Sequence, residues 1–330
     1  MSEITNLTKW QECFAANRTF PLASNRLFVG IPLLIGNIFA VSANSTLLFI
    51  LIKNWSTLGS NKFNLLILHL AAAHCFYESI NFISSIPSLF ASVPIYSSDF
   101  VQTATAFFNT PPATTVLWMN TLIALERFAY FLLPQLHLFM NRAYIRQALP
   151  LSLWISANAM SIASEIHGCK KRFNQWNMVY TFDCSNCKLT DTLTILDLMT
   201  GMSQFLPIIL VVCYVITFMQ IFNIKFIRTS ANEMTLRNTN AEIKVAVQFF
   251  VICLCQWFSS SMFMLGIKIF GPGNIAALLA NLASVLNGLV NPILLFTFNS
   301  IIRNHLFQVF PWKVKSARVA NVRVTISNRS

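Results

Sequence analysis

Seven stretches of the chain are apolar over about twenty residues or more: 27–52, 63–90, 102–133, 146–166, 192–222, 245–270 and 275–298. Polar and basic residues gather in the short connections between them. A helix of about 20 apolar residues crosses the hydrocarbon layer of a bilayer, so each stretch predicts one membrane-spanning helix. Only helices and closed barrels satisfy their backbone in lipid. Nine glycines and the lack of regular polar alternation argue against a barrel. The expected fold class is therefore all-α, a polytopic bundle of seven transmembrane helices. Beyond the last stretch, Ile302, Leu306, Val309 and Phe310 share one helical face, while Arg303, Asn304 and Gln308 lie elsewhere. That pattern predicts a short amphipathic eighth helix on the membrane surface.

Composition agrees. Hydrophobic residues make up 55% of the chain and charged residues 10%, against about a quarter charged in soluble domains. The net charge of +12 could signal nucleic acid, but the basic residues lie in loops and the tail rather than on one face, so no nucleic-acid partner is expected. They set orientation instead. With the N-terminus outside, fifteen Lys and Arg fall on the inner side and eight on the outer, as the positive-inside rule requires. The organisation is then an extracellular segment (1–26), the bundle (27–298), an amphipathic helix (299–310) and a basic cytoplasmic tail (311–330). No cleavable signal peptide is expected, because the first residues lack an apolar core. Sequons at Asn6 and Asn17 suit an extracellular end. Those at Asn44 and Asn54 fall in a span and in the first inner loop, which leaves them unused. The plasma membrane is the expected location.

The sequence holds no Gly-rich phosphate loop, no metal-spaced His/Cys cluster and no selectivity-filter sequence. No constellation is spaced for catalysis, so neither enzyme activity nor a cofactor or metal is expected. A transporter is the alternative, because His74 and Glu78 lie one turn apart and could relay protons. It would also need helix breaks in matching places of two halves, and the breaks do not pair.

Residues 121–134 read TLIALERFAYFLLP. An acid and a base, Glu126 and Arg127, stand at the end of an apolar span, where charge is costly and rare. Phe128 follows, and Pro134 comes after. This order resembles the motif closing the third helix of rhodopsin-like G-protein-coupled receptors. Other spans extend the resemblance. The second reads NLLILHLAAAHCF, with His74 where the family has aspartate and His69 where it often has asparagine. Trp154 sits in the fourth span and Pro207 in the fifth. The sixth reads FFVICLCQWFSS, similar to Cys-Trp-x-Pro but one residue out and with Ser259 for the proline. Trp257 then stands for the switch aromatic, with simple packing as the alternative. The seventh span ends NPILLFTFNSIIR, where Asn291 and Pro292 match the family and Leu295 replaces its tyrosine. The resemblance covers roughly residues 27–310. Short loops, Phe-rich spans and the ERF form look like the nematode serpentine chemoreceptors.

The resemblance implies a receptor that couples a small-molecule ligand to a heterotrimeric G protein. It assigns the inner switch to Glu126, Arg127, Phe128, Pro134, Trp257, Asn291 and Pro292, with Glu233 or Glu242 as further partners of Arg127. It implies a polar network at Asn44 and His74; His74 gives no anion for a sodium ion, and it acts either as a protonation switch or as a neutral imidazole bonded to Asn44 or Asn291. Pro111-Pro112 departs from the family and should kink or open the third span. Counting back from Arg127 places Asn109 toward the ligand. The expected pocket is Asn81, Asn109, Asp197, Ser203, Ser260 and Asn281 among aromatics. The seventh span has no core lysine for a retinal Schiff base.

Of eight cysteines, Cys13, Cys169, Cys184 and Cys187 fall outside the spans, and four cysteines allow three pairings. The family ties its third helix to the second outer loop, yet no cysteine stands near Gln102. The comparison implies another staple: Cys169 to Cys184 or Cys187, and Cys13 to the one left over.

Overall fold

The computed structural model describes residues 9–16, 19–59, 62–93, 95, 98–182, 184–185, 187–188, 190, 193–227, 233–271 and 273–309, with backbone alone at 62, 221–227, 233–246, 249, 264 and 267–268. The sequons at Asn6 and Asn17, Phe310 and the tail 311–330 lie outside the described residues.

A short helix α1 (Lys9–Ala15) precedes the first span, α2 (Ala23–Lys53). A turn, α3 (Trp55–Leu58), leads into α4 (Lys62–Asn81) and α5 (Ser85–Phe90), which together make the second span. The third span is α6 (Asp99–Phe107) with α7 (Thr110–Leu132), followed by α8 (Pro134–Met140) in the connection. Then come α9 (Ala143–Ile166), a hairpin of β1 (Arg172–Asn174) and β2 (Val179–Thr181), α10 (Ile195–Ile227), α11 (Glu233–Phe270), α12 (Asn274–Phe298) and α13 (Ser300–Val309). The described chain is thus an all-α bundle with one small hairpin. Among the described residues, four helical segments, 23–53, 63–90, 195–220 and 274–298, are long and apolar enough to cross a bilayer by length and composition. The chain is a multi-pass membrane protein.

Two spans expected as single helices are broken. The second is interrupted between Asn81 and Ser85. The third stops at Phe107 and restarts at Thr110, with Asn109 as N-cap. Pro111 and Pro112 therefore occupy the first turn of α7 rather than a helix interior. Proline is tolerated there because the first-turn N–H groups lack intrahelical acceptors anyway. Pro32, Pro150, Pro207 and Pro292 remain inside α2, α9, α10 and α12.

Helix α7 is central, packing on α4, α9, α10 and α11; α12 packs on α2 and α11. The half of the bundle away from the hairpin is filled by a cluster including Leu47, Ile67, Leu70, Met119, Ile123, Leu210, Tyr214, Ile252 and Leu295, all at most 1% exposed. Large apolar side chains such as Phe39, Ile155, Phe205 and Met219 lie on the outside. That inside-out surface suits a hydrocarbon solvent. Small residues let helices approach. A Cβ on Gly36 of α2 would lie 2.7 Å from Val285 Cγ1 on α12. On α13, Asn299 Oδ1 accepts the backbone N–H groups of Ile301 and Ile302, and Ile302 is fully buried against the bundle.

Candidate functional site

One end of the bundle is roofed by the segment between α9 and α10. Gly168, with φ of 76°, ends α9: its N–H reaches Glu165 O, and the N–H of Cys169 reaches Ser164 O at 2.8 Å. This is a left-handed helix stop that suits glycine. It aims the chain into the mouth of the bundle. Cys169 pairs with Cys187 and Cys13 with Cys184, which settles a pairing that the sequence left open. The other four cysteines are free. In the hairpin, Phe173 pairs with Tyr180 across the strands. Asn174 Oδ1 accepts the N–H groups of Trp176 and Asn177 in the turn. Gln175 Nε2 donates to Ser88 O on α5. Trp176 meets Phe14 of α1 and Phe20.

Strand alternation sends neighbouring side chains opposite ways. Arg172 stacks on Trp10 of α1 at 3.6 Å. Lys171 goes the other way, into the bundle. Its Nζ donates to Asn109 Oδ1 at 2.6 Å and lies 4.8 Å from the ring centre of Tyr180 and 5.4 Å from that of Phe263. Lys171 is 8% exposed. Burial pulls its ammonium down from 10.5 to about 7, because desolvation disfavours the charged form. Burial also lowers Arg172, while Asp99 and Glu165 act to raise it.

Beneath the roof lies a cavity with about 970 Å³ of atom-free space, part of it continuous with solvent. Its walls include Leu117 and Trp118 of α7, Met160 of α9, Met199 and Ser203 of α10, Gln256 and Phe263 of α11, and Ser284 of α12, with Lys171 and Phe182 above. That size and largely apolar lining with a few polar groups suits a small-molecule site. Ser203 and Ser260 are among the residues that line it. Asn109 reaches it through Lys171, whose Nζ donates to its Oδ1. The other three expected pocket residues serve different ends. Asn81 and Asn281 line a smaller neighbouring cavity and tie the roof down. Asn81 Oδ1 accepts from the Tyr180 hydroxyl, and Asn281 Nδ2 donates to Met178 O at 2.9 Å. Asp197 accepts from Thr194 N–H and hydroxyl, holding the start of α10. These asides were not legible because a polar residue in an apolar span can serve the backbone as readily as a ligand.

At the floor, Gln256 joins three helices. Its Oε1 accepts from Asn120 Nδ2 of α7 at 3.2 Å and Asn287 Nδ2 of α12 at 2.8 Å. Trp257, expected as the switch aromatic, is 42% exposed on the outer face. One residue is a rotation of about 100° on a helix, so the one-residue offset from the family pattern turns Trp257 outward and Gln256 inward.

His74 lines the cavity and is buried, but its Nδ1 has no hydrogen-bond partner. Asn44 instead donates to Gly288 O on α12 and Ala40 O, so the expected bond between Asn44 and His74 does not form. Asn291, fully buried beside Pro292, makes no side-chain hydrogen bond. Glu78 is fully buried and accepts from Asn81 at 3.3 Å.

At the opposite end of α7, Arg127 Nε lies 3.4 Å from Glu126 Oε2. Sequence reasoning missed two neighbours. His137 Nε2 of α8 is 3.4 Å from Glu126 Oε1, and the Arg127 guanidinium covers the Phe63 ring at 4.5 Å. Pro134 opens α8 and so delivers His137 one turn later. Phe128 is half-buried. The side chains of Glu233 and Glu242 lie outside the described residues.

Comparison with known proteins supports this architecture. The crystal structure of squid rhodopsin superimposes with a TM-score of 0.70 at 18% identity, covering 92% of this chain and 85% of that one. The fold is the rhodopsin-like seven-helix bundle. No curated protein sequence matches the chain. Residues 26–314 match the family model described as "Protein of unknown function (DUF621)", and the chain belongs to that family.

Proposed function

We propose that the protein is a G-protein-coupled receptor, chemosensory in role, that converts binding of a small molecule in the roofed cavity into activation of a heterotrimeric G protein. One observation carries the reading. Helix α7 lines the cavity with its outer half and carries the Glu126–Arg127 pair at its other end. From Leu117 to Arg127 is about 15 Å of helix, so one rigid element joins the two. The ion pair at the inner end, clamped by His137 and Phe63, has the character of a two-state latch: a partly desolvated pair biases an equilibrium between states. The likeness to nematode serpentine chemoreceptors favours the chemosensory role. The basic inner side and the disulfide-bonded roof favour a plasma-membrane receptor with its N-terminus outside. Phe128, Pro134, Asn291 and Pro292 belong to the inner half of this machinery.

The test is nucleotide exchange on a co-expressed G protein during a screen of small volatile and water-soluble compounds. Arg127→Ala abolishes the exchange at unchanged surface expression, and Glu126→Gln raises the basal rate. Normal exchange by Arg127→Ala overturns the switch assignment. Failure of every compound to change exchange across a panel of G proteins counts against the receptor.

A further inference from the structure

The cavity contains a cation with no anion beside it. Lys171 projects from the roof to the top of the cavity. Its described neighbours are the neutral oxygen of Asn109 and the faces of Tyr180 and Phe263. The Glu126 carboxylate, with Arg127 and His137 beside it, lies at the far end. No acidic side chain appears among the described residues lining the cavity. A buried ammonium needs an opposite charge or several acceptors to offset the lost hydration. Asn109 and two ring faces supply only part of that.

The rest of the lining selects the other end of a ligand. Below Lys171 stand Trp118, Met160, Met199 and Met202, which offer polarizable apolar surface. Ser203, Ser260 and Gln256 offer hydroxyl and amide groups but no charge. A dianionic phosphate would leave one charge uncompensated, and an amine would meet Lys171 with nothing to neutralise it.

We propose that the cavity binds a monocarboxylate with an apolar body, its carboxylate accepting from Lys171 Nζ and its chain lying among the methionines and aromatics. This rests on the cavity being the ligand site of the receptor reading and adds the ligand's chemical class. Asn109 is then a positioning residue, which holds the ammonium over the cavity and leaves its other two donors free. The loop staple contributes directly, because Cys169 of the Cys169–Cys187 disulfide is two residues from Lys171. The ligand contact thus comes from the second outer connection and not from a helix, which is why no span pattern pointed to it.

The test uses the purified full-length protein in detergent and straight-chain carboxylates from hexanoate to dodecanoate. Alkanols, alkylamines and methyl esters of matching length serve as controls. Calorimetric titration and the thermal midpoint are read, without G protein. At least one carboxylate is expected to bind about tenfold to a hundredfold more tightly than its matched alcohol, the range for one charge-assisted hydrogen bond. Lys171→Met removes that preference and Lys171→Arg keeps it. Equal binding of acid and alcohol overturns the proposal, as does a carboxylate preference that survives in Lys171→Met, or no carboxylate binding by the wild-type protein. If Lys171→Met cannot be purified folded, Lys171→Gln, which still bonds Asn109, takes its place, and the wild-type comparison of acid with ester decides independently. Carboxylate binding with no nucleotide exchange counts against the receptor and leaves the site; exchange driven only by neutral or cationic compounds does the reverse.

Discussion

Replacing Gln256 with leucine separates the structure from the family pattern most sharply. Gln256 Oε1 holds amide donors from Asn120 and Asn287, so it cross-links α7, α11 and α12. Asn120 is 2% exposed and Asn287 8%. Leucine has similar volume, which leaves little cavity, but it returns both donors to a buried site without an acceptor. Interhelical hydrogen bonds in membranes average about 0.6 kcal/mol and reach about 1.7. Two of them, lost together, lower stability by about 1–3 kcal/mol. The assay is reversible unfolding in mixed micelles. Double-mutant cycles with Asn120→Ala and Asn287→Ala should each show coupling of about 0.5–1.5 kcal/mol. Trp257→Ala is the control, because a lipid-facing side chain removed from outside the bundle changes little more than contacts with detergent. The reasoning fails if Gln256→Leu is as stable as the wild type, or if Trp257→Ala costs more than Gln256→Leu.

Three further outcomes follow from named contacts. Lys171 has a folded-state value lowered to about 7 from 10.5, so the unfolded state binds the extra proton between those limits and stability rises with pH across that window, by up to about 1.4 kcal/mol per pH unit; His74 and Tyr77 share its cavity and Tyr180 its contact, so the slope is read as the difference from Lys171→Met, and equal slopes refute it. Gly36→Ala places a Cβ 2.7 Å from Val285 Cγ1, and pushing α2 from α12 should cost about 1–3 kcal/mol, seen as a lower midpoint in the same micelles; an unchanged midpoint shows that the approach is not tight. Cys13→Ser with Cys184→Ser frees α1 from the roof across a sequence separation of 171 residues, for a loss of about 2–4 kcal/mol; protease cleavage near residue 16 should quicken while the micelle-embedded core stays protected, and unchanged cleavage would mean that packing of Trp10 and Phe14 suffices.

What the sequence determined by itself rests on quantities that add along the chain. Bilayer thickness sets a length for apolar runs, so the spans were legible. Charged residues inside them are costly, so Glu126 and Arg127 stood out, and their ion pair forms. That Cys13, Cys169, Cys184 and Cys187 fall outside the apolar runs was legible, but their pairing was not: three arrangements satisfy the same count, and only the fold brings Cys13 to Cys184. Rotation about a helix axis was the second limit. In a span apolar on all sides nothing marks the inner face, so Gln256 and Trp257 could not be told apart until neighbouring helices supplied Asn120 and Asn287. Polar residues in spans were recognisable as significant without their purpose, and Asn81, Asn281 and Asp197 proved to hold the backbone and the roof together. Lys171 was the largest omission. A lysine in a basic loop reads as a solvated charge, and only the left-handed stop at Gly168, the Cys169–Cys187 staple and the hairpin docked on α5 and α12 turn it inward over the cavity. Side-chain direction there is a property of the assembled roof, because a strand of three residues sends alternate side chains to opposite faces and the sequence does not say which face meets the bundle.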